Sequence, residues 1–297
     1  MKIRKPVVVN KFYPQNYQDL LHDISKKENL LELLEKNDLK NNLGNEILGV
    51  VLPHAGYIYS GKTALKALFL AKNIILSNSI NIDTLILIGP DHYGYGKNIS
   101  IDDRSYLIPK DIIFQSDIDI ISKIIDKINE IDKKEYIQLN YKAFDYDHSL
   151  EVILPLFYFV FNKTFKIVPI TITKQTLNNC LILANILFEV LKDKSNFLMI
   201  ASSDMSHYIT HNEAINRDSK VFGYIVSNDS IGFYKTIIDN QINSCGFGCI
   251  TTLLEFKKLF YSYKNKNHIN NRIVEYETSA HYSKDYDFVV GYLSVIV

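Results

Sequence analysis

The sequence predicts an α/β protein, a single αβα sandwich domain over residues 1–297 with a central, mostly parallel or mixed sheet. Apolar segments of strand length alternate with segments of helical periodicity along the whole chain, which is the pattern of α/β folds. No proline-rich or low-complexity linker divides it. Hydrophobic residues make up 47% of the chain, enough for a large buried core.

Apolar periodicity, with proline and glycine as breaks, places the elements in order. In the first half we expect an extended segment at 3–14, one or two amphipathic helices within 15–43, a strand at 47–52, a helix at about 62–76, a strand at 84–88, an irregular hairpin region at 99–113 and a helix at 117–131. In the second half we expect a helix opening within 146–156, a strand at 166–172, a helix at 177–191, a strand at 196–201, helices at 212–226 and 230–240, a turn at 245–249, a helix at 251–263, and closing strands at 272–277 and 288–297.

Composition argues against several classes of protein. Lys plus Arg and Asp plus Glu number 33 each, so the formal net charge is zero and nucleic acid is not the expected partner. Three cysteines (Cys180, Cys245 and Cys249) are too few for a disulfide framework and indicate a reducing compartment. The first apolar run, 7–9, is too short for a signal peptide, and no run approaches membrane-spanning length. We therefore expect a cytoplasmic protein that does not bind membranes.

Three predicted strands run out into side chains that can bind metal or move a proton. The strand before Pro53 leads to His54, the strand before Gly89-Pro leads to His92, and a third strand leads to Asp204 and His207. In open α/β sheets the ligand crevice lies outside the carboxyl ends of the strands. We therefore expect these side chains to converge.

The histidines and one cysteine suggest a metal site. Imidazole and thiolate donors from His54, His92 and Cys245 suit iron, copper or zinc, and three protein ligands leave coordination positions open for water or substrate. The structural alternative is that each histidine is buried and hydrogen-bonded, and that Cys245 is packed as a small apolar residue.

Asp204 and His207 form the second candidate pair. Beside a metal they could act as a general base with its orienting carboxylate. Alternatively, Asp204 caps the helix near Asn212 and His207 is exposed. A Ser/His/Asp hydrolase is also conceivable through Ser202 or Ser203, but the chain has no Gly-x-Ser-x-Gly elbow.

Two further patterns carry open alternatives. His148 and Glu151, three apart on the predicted helix, are either ligands or supporting partners of ligands, or they simply belong to a helix start that Asp147 or Ser149 caps. The stretch 56–63 matches the phosphate-loop pattern G-x-x-x-x-G-K-[ST]. Bulky residues at 57–59 and the histidine before the loop argue against nucleotide binding.

Taken together, these stretches resemble the Memo family, whose microbial members are called AmmeMemoRadiSam system protein B. The matching segments occur in order along nearly the whole chain, at 12–14, 53–61, 89–92, 147–155, 202–208, 245–246, 276–279 and 290–292. The resemblance implies a fold similar to class III non-haem iron extradiol dioxygenases. It also places metal ligands at His54, His92 and Cys245, with His207 as the acid/base histidine and Asp204 beside it.

The chain departs from the family pattern at three places. Asp91 stands where Asn is usual, Met205 where Phe is usual, and the proline common after Cys245-Gly is replaced, which leaves Cys249 close by. Cys249 could add a ligand, or it could form a disulfide with Cys245 that abolishes metal binding.

The resemblance and the residues support three functional expectations. The first is an iron- or copper-dependent protein with redox or oxygenase-type activity on an unknown small molecule. Extradiol cleavage itself is not favoured, because a thiolate replaces the glutamate ligand. The second is a non-catalytic binding module with a vestigial cleft for a peptide or partner protein. The third is membership of a modification system with a radical SAM enzyme and an AMMECR-type protein.

Overall fold

The computed structural model describes residues 2–30, 46–132, 136–266 and 270–297. Its strands are β1 (Ile3–Arg4), β2 (Gly49–Leu52), β3 (Thr84–Pro90), β4 (Ile99–Ile101), β5 (Ser105–Ile108), β6 (Ile112–Phe114), β7 (Ile137–Leu139), β8 (Lys166–Ile172), β9 (Phe197–Ser202), β10 (His207–Ile209), β11 (Arg272–Thr278) and β12 (Val289–Ile296). Its helices are α1 (Tyr17–Lys27), α2 (Tyr57–Ser77), α3 (Ile118–Glu130), α4 (Lys142–Asp145), α5 (Ile153–Phe161), α6 (Leu177–Leu191), α7 (His211–Val226), α8 (Ser230–Asp239), α9 (Phe247–Tyr263) and α10 (Ala280–Ser283).

A nine-stranded mixed sheet positions the site. Its order is β10-β12-β2-β9-β3-β8-β4-β7, with β11 paired to β12. The four central strands β2, β9, β3 and β8 are parallel, and in register Leu52 lies beside Ser202 while Ile88 lies beside Ala201. The carboxyl ends of these strands therefore meet at one edge of the sheet, as the sequence predicts. A separate three-stranded sheet has the order β1-β5-β6.

Helices cover both faces of the large sheet. Along β3, Leu85 and Leu87 belong to one buried cluster and Ile86 and Ile88 to another, because successive side chains of a strand point to opposite faces. Residues from α2 and α5 lie in the first cluster, and residues from α3, α6 and α9 in the second. Every residue of β3 is buried, as expected for a parallel strand covered on both sides. The predicted αβα arrangement is confirmed.

Most predicted elements are present, with shifted ends. The hairpin region at 99–113 contains β4 and the antiparallel pair β5–β6. Of the amphipathic pattern at 15–43, α1 is present, and the part from residue 31 onward lies outside the described residues. No helix in the described part of the chain is both long and apolar enough to cross a membrane.

The stretch that matches the phosphate-loop pattern forms the first turns of α2. This helix begins at Tyr57, five residues before the predicted start, so residues 57–59 are helical rather than part of an open loop. Lys62 Nζ donates to Glu277 at 2.8 Å, and the Thr63 hydroxyl donates to the same carboxylate at 2.6 Å. The lysine and threonine of the pattern thus tie α2 to β11.

Two further predicted helix starts are wrong. The helix for which Asp147 or Ser149 is the predicted cap begins only at Ile153. The Asp147 carboxylate accepts the Ser149 N–H instead, and the chain from 147 to 152 stays in loop and turn conformation. Conversely, the expected turn at 245–249 is shorter, since α9 already begins at Phe247. Both differences change the surroundings of candidate site residues.

Candidate metal centre

Three strand ends and one turn bring their histidines and acids together. His54 follows β2, His92 follows β3, Asp204 follows β9, and His148 comes from the turn before α5. The ring centroids of His54 and His92 lie 5.1 Å apart, those of His54 and His148 5.4 Å, and those of His92 and His148 4.5 Å. One nitrogen from each of these three rings lies within 4.8 Å of the others. We call this set the imidazole cluster.

Hydrogen bonds fix the tautomer of His54. The Ser202 hydroxyl donates to the Ser149 carbonyl at 2.7 Å, so its oxygen accepts from His54 Nδ1–H, also at 2.7 Å. Nε2 is then unprotonated, and it lies 3.1 Å from Cys245 Sγ. Burial, together with the imidazoles of His148 and His92, holds the pKa of His54 well below its ordinary value. This ring is a neutral donor with Nε2 available to a metal.

His92 is oriented by a carboxylate. Its backbone N–H donates to Asp147 Oδ2 at 2.8 Å, and its ring Nδ1 lies 3.0 Å from the same oxygen. Burial alone would lower the pKa of His92, but the hydrogen bond and charge of Asp147 outweigh it and raise that pKa. Burial likewise opposes ionisation of Asp147, yet His92 brings the pKa of Asp147 down to about 2. A carboxylate behind an imidazole is a common support for a metal-ligating histidine.

His148 is packed between aromatic rings. It stacks on His92 at an interplanar angle of 18° and contacts the ring of Phe12, whose centroid is 4.2 Å away. Burial and the neighbouring His92 lower the pKa of His148 to about 4. A ring held neutral at physiological pH is ready to coordinate a cation without first losing a proton.

Cys245 and Asp204 lie on the other side of His54. The Asp204 carboxylate accepts the His54 N–H at 2.8 Å, and the Asp204 N–H donates to Cys245 Sγ at 3.2 Å. Burial raises the pKa of Asp204 to about 6. Burial and the nearby Asp204 carboxylate raise the pKa of the Cys245 thiol well above its ordinary value. Without a cation, this end of the site therefore favours the protonated thiol.

His207 faces the cluster from β10. Its Nδ1 lies 2.8 Å from the Asn243 carbonyl, to which it donates, so Nε2 is unprotonated in the neutral ring. The next residue, Tyr208, has φ of +60°, in the left-handed region that bulky residues rarely adopt. The β10–β12 register also shifts between His207 and Ile209. Such local strain is found preferentially at functional sites.

These side chains line one cleft of about 400 Å³. Its walls combine the imidazole cluster with acid/base, thiol and apolar groups: Phe12, His54, Ala55, His92, His148, Asp204, His207, Tyr208, Asn243, Cys245 and Val290. Six of the predicted site residues therefore share one cleft: His54, His92, His148, Asp204, His207 and Cys245. The alternative that Asp204 caps the helix near Asn212 is wrong, because Thr210 caps α7.

His148 is more central than the sequence indicates. We expected it to be a ligand or a supporting partner on a helix face shared with Glu151, but both residues lie in the turn before α5. The third member of the imidazole cluster is His148 and not Cys245. Of the three clustered histidines, His54 is the one whose ring nitrogen has a described contact with Cys245 Sγ, at 3.1 Å. The sequence signal for this role is the Asp147-His148 pair. Asp147 supports the His92 ring, and His148, the next residue, stacks on that ring.

Glu151 points away from the cleft. Its buried carboxylate accepts hydrogen bonds from Arg4 at 2.7 Å and from the Tyr13 hydroxyl at 2.9 Å. It also accepts the backbone N–H groups of Val7 and Val8. It therefore fixes the N-terminal segment that carries Phe12, and it is neither a ligand nor the direct support of one.

Cys249 lies in the first turn of α9 and belongs to the core. It is fully buried among the apolar side chains between the sheet and its helices. The thiols of Cys245 and Cys249 are both free. The structure therefore gives Cys249 a packing role, and no disulfide joins it to Cys245.

The matching family model and the similar curated sequences agree on one family. The family model described as Memo-like protein matches residues 4–296. A MEMO1 family protein of Methanosarcina mazei is 30% identical over 298 residues, covering 100% of both chains. Another, of Sulfurisphaera tokodaii, is 32% identical over 306 residues, covering 99% of this chain and 98% of its own. The solved structure of the uncharacterized protein JW3007 from Escherichia coli K12 is similar in fold, with a TM-score of 0.50 at 11% identity over 84% of this chain and 99% of its own.

Proposed function

We propose that this chain, which belongs to the Memo-like family, binds a transition-metal ion between His54, His92 and His148. The observation that carries the proposal is the imidazole cluster itself, three donor nitrogens within 4.8 Å of one another. Two of its rings are oriented from behind, one by Ser202 and the other by Asp147. Supporting hydrogen bonds of this kind are typical of metal-ligating histidines.

The donor set fits iron, copper or zinc. Imidazole and thiolate are the ligands that these ions prefer, whereas magnesium and calcium take oxygen ligands. Cys245 Sγ, 3.1 Å from His54 Nε2, is a fourth donor once its proton is released. We therefore assign the metal site three nitrogen donors from the imidazole cluster and one sulphur donor from Cys245. The open cleft leaves room for a small molecule beside these donors.

The other polar groups of the cleft supply proton transfer. His207 holds its proton on Nδ1 and presents Nε2 as an acceptor for a substrate O–H or N–H. Asp204, with a pKa of about 6, can exchange a proton near neutral pH. A bound ion would supply Lewis-acid chemistry and, as iron or copper, electron transfer. We accordingly propose redox or oxygenase-type chemistry on a small molecule that can lose a proton to His207.

A second candidate, a non-catalytic binding module, is favoured by a different observation. At the cleft edge, Tyr208 and Phe288 stack at 5.0 Å and are both well exposed. Exposed aromatic pairs are typical of surfaces that bind a peptide or partner protein. The partners to test first are a radical SAM enzyme and an AMMECR-type protein.

Metal stoichiometry tests the first candidate. The parent chain, purified without oxygen and titrated with iron(II), copper(II) or zinc(II), should bind one equivalent of at least one of these ions. His54→Ala and His92→Ala should lose that binding while keeping the far-UV circular dichroism of the parent. The matched control is His281→Ala, which removes an exposed histidine. Equal binding by the parent and both cleft variants would refute the proposal and leave the binding module as the better account.

A further inference from the structure

Exposed tyrosines lie close in sequence to His92 and His148, two members of the imidazole cluster. Three of them, Tyr93, Tyr95 and Tyr146, pack on one another and are between 52% and 61% exposed. The centroids of Tyr93 and Tyr95 are 5.9 Å apart with the rings nearly parallel, and Tyr146 lies 6.4 Å from the first and 6.1 Å from the second. We call these three residues the tyrosine cluster. An exposed aromatic cluster of this kind calls for a functional explanation.

The loop after β3 is built to place Tyr93 and Tyr95 side by side. Between them Gly94 has φ of +68°, a conformation that glycine adopts without strain. The Asp91 carboxylate accepts the N–H groups of Tyr93, Gly94 and Gly96. These bonds hold the turn closed, so both rings stay on one side of it. The acid that departs from the family pattern at position 91 therefore shapes this loop.

The tyrosine cluster lies on the two segments that deliver two imidazoles. Tyr93 directly follows His92, and Tyr146 directly precedes Asp147, whose carboxylate lies 3.0 Å from the His92 ring nitrogen. His148, which stacks on His92, is the next residue. The phenol rings are thus joined to the metal-binding side chains by very short stretches of backbone, and at their other side they reach solvent.

We propose that the tyrosine cluster is a one-electron donor site for the metal centre. This inference rests on the proposed metal-binding function. A phenol is readily oxidised by loss of one electron and one proton, and two adjacent phenoxyl rings combine through a carbon–carbon bond. With hydrogen peroxide as oxidant, two tyrosines and one peroxide give one dityrosine and two waters. The two electrons and two protons that the phenols lose reduce the peroxide. The cluster would carry oxidising equivalents from the centre to the surface.

The test loads the full chain with one equivalent of copper(II), adds equimolar hydrogen peroxide, and maps cross-links by mass spectrometry and dityrosine fluorescence. We expect a product that has lost two hydrogen atoms, with its cross-link between Tyr93 and Tyr95. Tyr95→Phe keeps the ring and should abolish that cross-link. The matched control is Tyr224→Phe, which removes an exposed tyrosine elsewhere and should leave it unchanged. Protein loaded with zinc should give no cross-link, because the zinc ion does not take part in electron transfer.

Two further readings separate the proposal from the function on which it rests. Copper binding is measured beforehand by titration, and metal-free protein is treated with a photochemical one-electron oxidant. If copper binds and peroxide is consumed, but oxidation is spread evenly over exposed tyrosines such as Tyr224 and Tyr263, the donor site is refuted and the metal site stands. If the metal-free protein fails to couple Tyr93 with Tyr95, the two rings do not lie close enough to couple, and the donor site is refuted. If the chain binds none of iron(II), copper(II) and zinc(II), both proposals are refuted.

Discussion

Metal binding at pH 6 should release two protons per ion from the ligands. Asp204, which is partly protonated at this pH, adds a fraction of a proton to this number. A metal takes neutral imidazole and thiolate. The lowered pKa values of His54 and His148 mean that both rings are already neutral at pH 6. The raised pKa of His92 keeps that ring charged, and the raised pKa of Cys245 keeps its thiol protonated. Each of these last two groups therefore loses one proton on coordination.

The clearest measurement is the difference between the parent and Cys245→Ser. Titration calorimetry with zinc, repeated in buffers of different ionisation enthalpy, gives the number of protons released. The variant should release one fewer, because serine has no proton to lose at this pH. Asp204, with a pKa of about 6, contributes equally to both. Since one proton corresponds to about 1.4 kcal/mol, or tenfold in affinity, per pH unit, zinc affinity should also fall less steeply in the variant as the pH is lowered.

Two results would contradict this account. Equal proton release by the parent and Cys245→Ser would show that the thiol does not coordinate. Release of three protons by the variant would show that the rings of His54 and His148 are not held neutral. In His281→Ala, the matched control, both proton release and affinity should be those of the parent.

Three further predictions concern the residues around the imidazole cluster. In metal-free protein, Asp147→Asn should cost about 2 kcal/mol of stability near pH 5. In urea unfolding, the difference in stability between the parent and this variant should shrink as the pH falls from 4 towards 2, because Asp147 becomes protonated. The difference should also shrink as the pH rises through the raised pKa of His92, because that ring loses its charge. Glu151→Gln should cost about 3 kcal/mol in the same assay, because it leaves Arg4 buried without its counter-charge. Cys249→Ala should cost about 1 kcal/mol through lost packing while metal stoichiometry stays unchanged.

The prediction for Glu151→Gln has a matched control, and the other two predictions each have a result that would contradict them. For the buried pair with Arg4, the exposed pair of Lys192 and Glu189 is the control, and Glu189→Gln should cost well under about 1 kcal/mol. A pH-independent effect of Asp147→Asn would mean that the pairing with His92 does not stabilise the fold. Loss of metal from Cys249→Ala would place its thiol at the centre after all.

The parts of the fold that depend on local pattern could be predicted from the sequence. Buried parallel strands such as β3 and β8 read as short apolar runs, and the polar residue after each run marks the edge of the sheet. His54, His92 and Asp204 follow such runs directly. The rule that ligands bind outside the carboxyl ends of parallel strands is therefore sufficient to predict that they share one cleft.

The remaining features depend on contacts between residues far apart in the sequence. The spacing of three residues predicts that Glu151 is a partner of His148, but the hydrogen bonds of Glu151 go to a segment about 140 positions earlier. The Asp147 carboxylate closes the turn that holds His148 beside His92. From the sequence alone, an aspartate at this position is equally well explained as a helix cap, so the turn could not be predicted. The glycines at 246 and 248 predict a turn, in which the Cys249 thiol would be free to bind a metal. Because α9 already begins at Phe247, Cys249 lies in the first turn of a helix and is buried.

Anomalous diffraction from crystals of the metal-loaded protein would test the central claim most directly. We expect one peak inside the cleft, about 2.0–2.1 Å from a nitrogen of each of His54, His92 and His148 and about 2.3 Å from Cys245 Sγ. An ion bound elsewhere, or a cleft without an anomalous peak in protein that carries one equivalent of metal, would contradict the assignment of these residues as the metal centre.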